Sequence, residues 1–100
     1  MAVMVILSWE GVTPEQYDTL RKEVRWLEEA PVGGHVHTAA FGDGTLHCTD
    51  VWNSAEDFQR FVDERLMPEV QRQGLPGQPE IEVLPLHELY CPVPDRILAT

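Results

Sequence analysis

The stretch Ala2-Val-Met-Val-Ile-Leu-Ser-Trp9 is apolar at every position but Ser8 and is rich in β-branched residues. Branching at Cβ favours extended backbone. A strand with one buried face alternates apolar and polar residues, whereas this run is apolar on both faces. It therefore predicts a central strand whose sheet needs cover on both sides. The run is too short to span a bilayer and no basic residue precedes it, so it reads as neither anchor nor signal peptide.

The rest of the chain supplies the elements around that strand. Gly11 ends the run, and Thr13-Pro14 reads as a helix start, with Thr13 as N-cap, Pro14 in the first turn and Gln16 at the capping-box position. Tyr17, Leu20, Val24 and Leu27 are spaced by three and four, which predicts a helix with one apolar face running to about Glu29. Pro31, Gly33 and Gly34 close it. Residues His35 to Phe41 and Thr45 to Trp52 read as strands joined at Gly42-Asp43-Gly44, because Asp-Gly favours a two-residue hairpin turn. Ser54 caps a second helix with Asp57 three residues on, and Phe58, Phe61, Val62 and Leu66 form its inner face. Pro68 is expected to interrupt that helix, with one further turn to about Gln73. Gly74 to Pro79 is a loop. Glu80 to Leu89 reads as a fourth strand, placed at a sheet edge by Pro85, and from about Tyr90 a tail docks or frays.

The order β-α-β-β-α-β predicts an α+β, ferredoxin-like domain spanning residues 1–100. Its four-stranded antiparallel sheet has the order 4-1-3-2. Two helices cover one sheet face, and the simplest cover for the other is a second copy of the chain. Two such sheets packed together make a dimeric α/β barrel with an interior cavity.

Charge narrows the partners. Seven Lys and Arg stand against 17 Asp and Glu, a formal net charge of −10. Phosphate backbones and anionic lipids are bound through Lys and Arg, so neither nucleic acid nor a membrane surface is expected. Cys48 and Cys91 form no Cys-x-x-Cys motif, so neither a disulfide framework nor a structural zinc site is expected. A cytoplasmic domain without cofactor is the expectation.

Three of the four histidines, His35, His37 and His47, lie on the hairpin, so its register decides which side chains meet. With a two-residue turn, paired residue numbers sum to 87: His37 opposes Asp50 and His35 opposes Trp52. One face then carries His35, His37, Phe41, Cys48, Asp50 and Trp52, with His47 on the other. With a three-residue turn the sum is 86, the three histidines share a face, and a metal site becomes conceivable. In the first register His37 and Asp50 form a His–carboxylate pair, which fixes the imidazole tautomer and suits a general base. Trp52 would supply a flat wall for an aromatic substrate. Cys48 reads as a small buried side chain and Trp26 as helix surface or packing. Trp9, at the end of the first strand, frames a cavity mouth. His87 follows Pro85 and is a second acid–base candidate.

Asp50-Val51-Trp52-Asn53-Ser54, followed by Phe58 and Phe61, resembles the strand-to-helix signature of the dimeric α/β-barrel superfamily, in particular its antibiotic-biosynthesis-monooxygenase-like group. Arg65-Leu66-Met67-Pro68, the Gly74–Glu80 loop and Pro85-Leu86-His87 resemble small actinobacterial members. The resemblance implies a homodimer with a cavity, and small substrates that are often aromatic or polyketide-like. Members oxidise phenolic rings with O₂ without metal or flavin, cyclise or isomerise polyketides, degrade haem, or remove water. Trp52 matches the tryptophan of the motif. The asparagine and arginine that some oxygenases place in the cavity have no counterpart, and Asp50 stands at a cavity position instead. That departure points to proton transfer rather than oxidation.

The leading expectation is thus a cofactor-independent cyclase, isomerase or monooxygenase-type enzyme. Its candidate catalytic residues are His37, Asp50 and His87, and its candidate substrate-binding residues are Trp52, His35, Phe41 and Trp9. The alternatives are a non-catalytic ligand-binding or assembly dimer, and a haem or metal protein using the hairpin histidines.

Overall fold

The first strand, β1 (Val3–Glu10), lies inside a four-stranded antiparallel sheet. A computed structural model describes residues 1–92 of the chain. The other strands are β2 (Gly34–Gly42), β3 (Thr45–Trp52) and β4 (Glu80–Pro85), in the order β2-β3-β1-β4. This is the expected order read from the opposite edge. Val3, Val5, Leu7 and Trp9 of β1 are buried beneath the helices, while Met4, Ile6 and Ser8 are half-buried on the open face. The ferredoxin-like α+β fold follows directly from that central strand.

Helix α1 (Pro14–Val24) begins with the expected capping box. The Thr13 hydroxyl accepts from the Gln16 N–H at 3.1 Å, and the Gln16 side chain accepts from the Thr13 N–H at 2.9 Å. The helix ends at Val24, over a turn earlier than the spacing of Leu27 predicts, because Arg25 adopts a left-handed backbone with φ of 58°. The Arg65 guanidinium, from across the fold, donates to the Val24 and Arg25 carbonyls. It thereby satisfies acceptors that a helix end leaves free. The reversal turns Trp26 inward and leaves Leu27 75% exposed, so Leu27 is not part of the core face.

The second helical segment is one rod: α2 (Ala55–Phe61), a π-helical turn (Val62–Leu66) and α3 (Met67–Gln73). Ser54 caps it by accepting from the Asp57 N–H at 3.1 Å. Pro68 does not interrupt the rod. A proline ring crowds the carbonyl four residues back and brings no N–H of its own. The wider turn just before it, with the Met67 N–H bonded to the Val62 carbonyl, makes room for that ring.

At the hairpin tip Asp43 and Gly44 have φ of 53° and 75°, the paired left-handed conformations of a type I′ turn. The two-residue register follows, and His37 lies opposite Asp50. Near the other end of β2 a bulge between Gly34 and Val36 shifts the pairing, so Gly34 rather than His35 opposes Trp52. A Cβ on Gly34 would lie 3.1 Å from the Pro31 Cγ and in ordinary contact, at 3.4 Å, with the Trp26 and Trp52 rings, so the position is tight chiefly against Pro31. His35 is displaced to an exposed position. Strand β4 stops at Pro85 instead of reaching Leu89, and its last link to the sheet is the Leu86 N–H donating to the Ala2 carbonyl at 2.9 Å. Tyr90 to Pro92 are exposed, and the remainder of the expected tail lies outside the described residues.

Candidate functional site

The inner face of the sheet and the helices enclose a cavity of about 70 Å³. At ~10–15 Å³ per water this holds on the order of five waters, about what a single six-membered ring displaces. Drug-sized ligands occupy pockets of ~300 Å³ and above. The floor is Leu7 and Trp9 of β1 with Leu46, Cys48 and Asp50 of β3 and His37 of β2. The roof is Tyr17, Leu20, Arg21 and Val24 of α1, closed at the sides by Trp26, Phe58, Phe61 and Leu66.

Almost all of that lining is apolar, so its few polar groups stand out. The Asp50 carboxylate accepts from His37 Nδ1 at 2.8 Å and from Trp52 Nε1 at 3.3 Å. A carboxylate only accepts, so Nδ1 carries a proton, and in a ring with that one proton Nε2 is the acceptor. The Tyr17 hydroxyl donates to that nitrogen at 2.6 Å. The result is an unbroken line: Tyr17 O–H to His37, His37 N–H to Asp50, with Trp52 steadying the carboxylate from behind. Asp50 is 8% exposed and Trp52 is fully buried.

Aromatic rings fix the imidazole in this line. The Tyr17 and His37 rings are stacked with centroids 6.1 Å apart, and Trp26 lies 4.9 Å from His37 on a tilted plane. Trp26 is in turn held edge-on by Trp52 and Phe61 at 5.6 and 5.4 Å. Burial pushes the Tyr17 hydroxyl up to about 12, with the Cys48 and Asp50 side chains adding to the rise and Arg21 opposing it. Burial, reinforced by Asp50, likewise pushes the Cys48 thiol up to about 12. Both groups keep their protons at neutral pH, so Tyr17 is a hydrogen-bond donor and Cys48 is no nucleophile.

The structure brings together some of the sequence candidates and not others. His37, Asp50 and Trp9 line the cavity, and Trp9 is pinned by its indole N–H donating to the Pro76 carbonyl at 2.7 Å. Trp52 lies behind the wall rather than in it, because its ring is packed among Trp26, Phe58 and Phe61. Trp26, expected only to pack or face outward, is a second indole, beside Trp9, that lines the cavity. Phe41 stands outside, edge-on to Tyr17 at 6.1 Å. The bulge leaves His35 exposed and outside the cavity lining, and beyond the end of β4 at Pro85 His87 is likewise exposed and outside it. His47 pairs with Ser8 and Ala40 on the open face, opposite to His37, so the hairpin histidines do not converge on one metal. Among the described residues no cluster of three metal-ligating side chains occurs.

Two groups escaped the sequence reading. Tyr17 registers there only as one position of an apolar stripe, although it is the one phenol among aliphatic neighbours on that face. Arg21 lies one helical turn further along. The available signal was the polar tip: a buried Tyr hydroxyl needs a partner, and a histidine on the facing strand supplies one.

No protein-family model matches the chain, and no curated protein matches it. Solved structures do. A protein of unknown function from Nitrosomonas europaea aligns over 92% of this chain and 95% of its own, at 18% identity and a TM-score of 0.68. SnoaB, a cofactor-independent oxygenase from Streptomyces nogalater, aligns over 88% and 94%, at 14% identity and a TM-score of 0.63. A monooxygenase from the ActVA-Orf6 gene of Streptomyces coelicolor, in complex with nanaomycin D, aligns over 92% and 93%, at 15% identity and a TM-score of 0.61. The structural neighbours are antibiotic-biosynthesis-monooxygenase-like proteins of ferredoxin-like fold, as the sequence resemblance implied. At these identities the likeness establishes the shared fold. Among the described residues no helix is long and apolar enough to cross a membrane.

Proposed function

We propose that the chain is a cofactor-independent enzyme that moves protons at a small cyclic substrate held in the α1-side cavity. One observation carries this reading: the hydrogen-bonded line from the Tyr17 hydroxyl through His37 to the buried Asp50 carboxylate. A substrate oxygen or acidic C–H meets the Tyr17 hydroxyl first. As the substrate gives up its proton to Tyr17, the Tyr17 proton passes to His37 Nε2, and Asp50 stabilises the imidazolium that forms. The reverse passage returns a proton to the product. The apolar walls exclude water and strengthen each charge interaction. Trp9 and Trp26 contact the ring, and Trp52 positions Asp50. Phe41 supports Tyr17, while His35 and His87 take no part.

The cavity volume favours a single ring over a fused polyketide skeleton. Ring closure, isomerisation and donation of an electron from the resulting anion to O₂ all begin with this deprotonation. The known chemistry of SnoaB as a cofactor-independent oxygenase is compatible with that first step. We further read the protein as a cytoplasmic homodimer, with a second copy covering the open sheet face that Met4 and Ile6 of β1 leave half-buried.

The test is exchange of the α-hydrogens of cyclohexanone for deuterium in D₂O, followed by NMR. The wild-type protein is expected to accelerate exchange, and His37→Gln to lower that rate by ~10²-fold or more. No acceleration by the wild type, or equal rates in the two proteins, would overturn the reading.

A further inference from the structure

Arg21 is the only cation lining the cavity among the described residues. It sits on α1 four residues after Tyr17, so the two side chains share one helix face about one 5.4 Å turn apart. The other basic groups nearby are occupied or turned away. Arg25 pairs with Glu29 at 3.7 Å, Arg65 is bound to the Val24 and Arg25 carbonyls, and Lys22 is exposed and absent from the lining. Arg21 makes no hydrogen bond or ion pair with any described residue, although the chain carries 17 acidic side chains and a net charge of −10. Its charge nonetheless reaches the hydroxyl of Tyr17, whose affinity for its proton it lowers.

A guanidinium left unpaired at the mouth of an apolar cavity, on an acidic protein, is placed to meet an anion that arrives with the ligand. Its planar donors suit a carboxylate in particular. We propose that Arg21 anchors the ligand, and that the ligand is a single-ring acid whose carboxylate lies at Arg21 while its opposite ring position reaches Tyr17. A ring bearing a carboxylate and a hydroxyl in para relation is about 6 Å long, enough to run along α1 from the turn of Arg21 to the turn of Tyr17, about 5.4 Å away along the helix axis. The ring fills the space that the cavity offers, between Trp26, Leu20 and Cys48.

This inference rests on the cavity being the substrate site proposed above, but its test reads binding rather than turnover. The probes are 4-hydroxybenzoate and its neutral counterpart 4-hydroxybenzyl alcohol, titrated into the full chain by calorimetry. Wild-type protein is expected to bind the acid about tenfold more tightly than the alcohol. Arg21→Gln should abolish that preference, and Arg21→Lys should restore part of it. His37→Gln should keep the preference, so a catalytic role that fails leaves the anchoring role measurable, and the converse. Retention of the acid preference in Arg21→Gln, or its absence in the wild type, would overturn the proposal.

Discussion

Replacing Asp50 by alanine tests whether the buried line of hydrogen bonds is as tightly coupled as the geometry shows. The carboxylate accepts from His37 Nδ1 and Trp52 Nε1. Removing it leaves two donors without an acceptor. Trp52 is fully buried, whereas the His37 side chain is 21% exposed and regains some contact with water. An unsatisfied buried donor costs about 1–3 kcal/mol, so the pair costs about 2–5 kcal/mol, with His37 at the low end. For a domain of this size one kcal/mol moves the melting temperature by about 4–8 °C, so a fall of at least about 8 °C is expected. Asp50→Asn keeps one acceptor and turns an amide toward the other donor, so it should lose about half as much. Removing a negative charge from a chain at −10 slightly relieves repulsion, and Glu82→Gln on the exposed edge strand controls for that. The assay is thermal unfolding by circular dichroism at pH 7. If Asp50→Ala melts within about 4 °C of the control, the two donors are not held as described and the reasoning fails.

Three further outcomes follow from the same geometry. Cys48, pushed up to about 12, should resist a thiol-specific reagent at pH 8 in the native state while the exposed Cys91 reacts, giving one labelled thiol folded and two unfolded; two labelled thiols in the native protein would contradict it. Tyr17 and Cys48 both hold their protons more tightly folded than unfolded, from ordinary values of 10.0 and 9.0 up to about 12. The unfolded chain therefore loses these protons first, and stability measured by denaturant titration should fall between about pH 9 and 12 and be unaffected by these groups below that window. Gly33→Ala should cost about 2 kcal/mol or more by chemical denaturation, because Gly33 has φ of 83° and a Cβ there would lie 2.7 Å from the Asp57 Cβ. Gly42→Ala, with nothing within 4 Å of its Cβ, should cost under 1 kcal/mol.

Local chemistry made much of the scaffold readable. Asp43-Gly44 specifies a turn whose geometry sets the register, and the register alone puts His37 opposite Asp50. Thr13-Pro14 and Gln16 declare the start of α1, and Ser54 that of α2, because caps are satisfied by neighbours in sequence. What sequence hid depends on partners far along the chain. The end of α1 is held by Arg65, some 40 residues later, and no glycine marks its left-handed turn. That hidden stop is what brings Trp26 to the cavity and sends Leu27 outward. The bulge that expels His35 sets Gly34 opposite Trp52 and beside Trp26, contacts made only in three dimensions. The passage of Pro68 depends on a π turn that helical periodicity does not reveal. Tyr17 was legible as an inward position, but its bond to His37 requires knowing how α1 lies across β2.

The central claim is that His37 is held in one tautomer, with its proton at Nδ1 toward Asp50 and Nε2 facing the Tyr17 hydroxyl, whose proton it accepts. Long-range ¹H–¹⁵N correlation spectra of ¹⁵N-histidine-labelled protein at pH 7.5 read the two ring nitrogens separately. A single fixed tautomer is predicted, with Nδ1 protonated and Nε2 bare, and Tyr17→Phe should shift the Nε2 resonance without changing the tautomer. A His37 ring that is protonated at Nε2, or that averages between tautomers as a free imidazole does, would contradict the account.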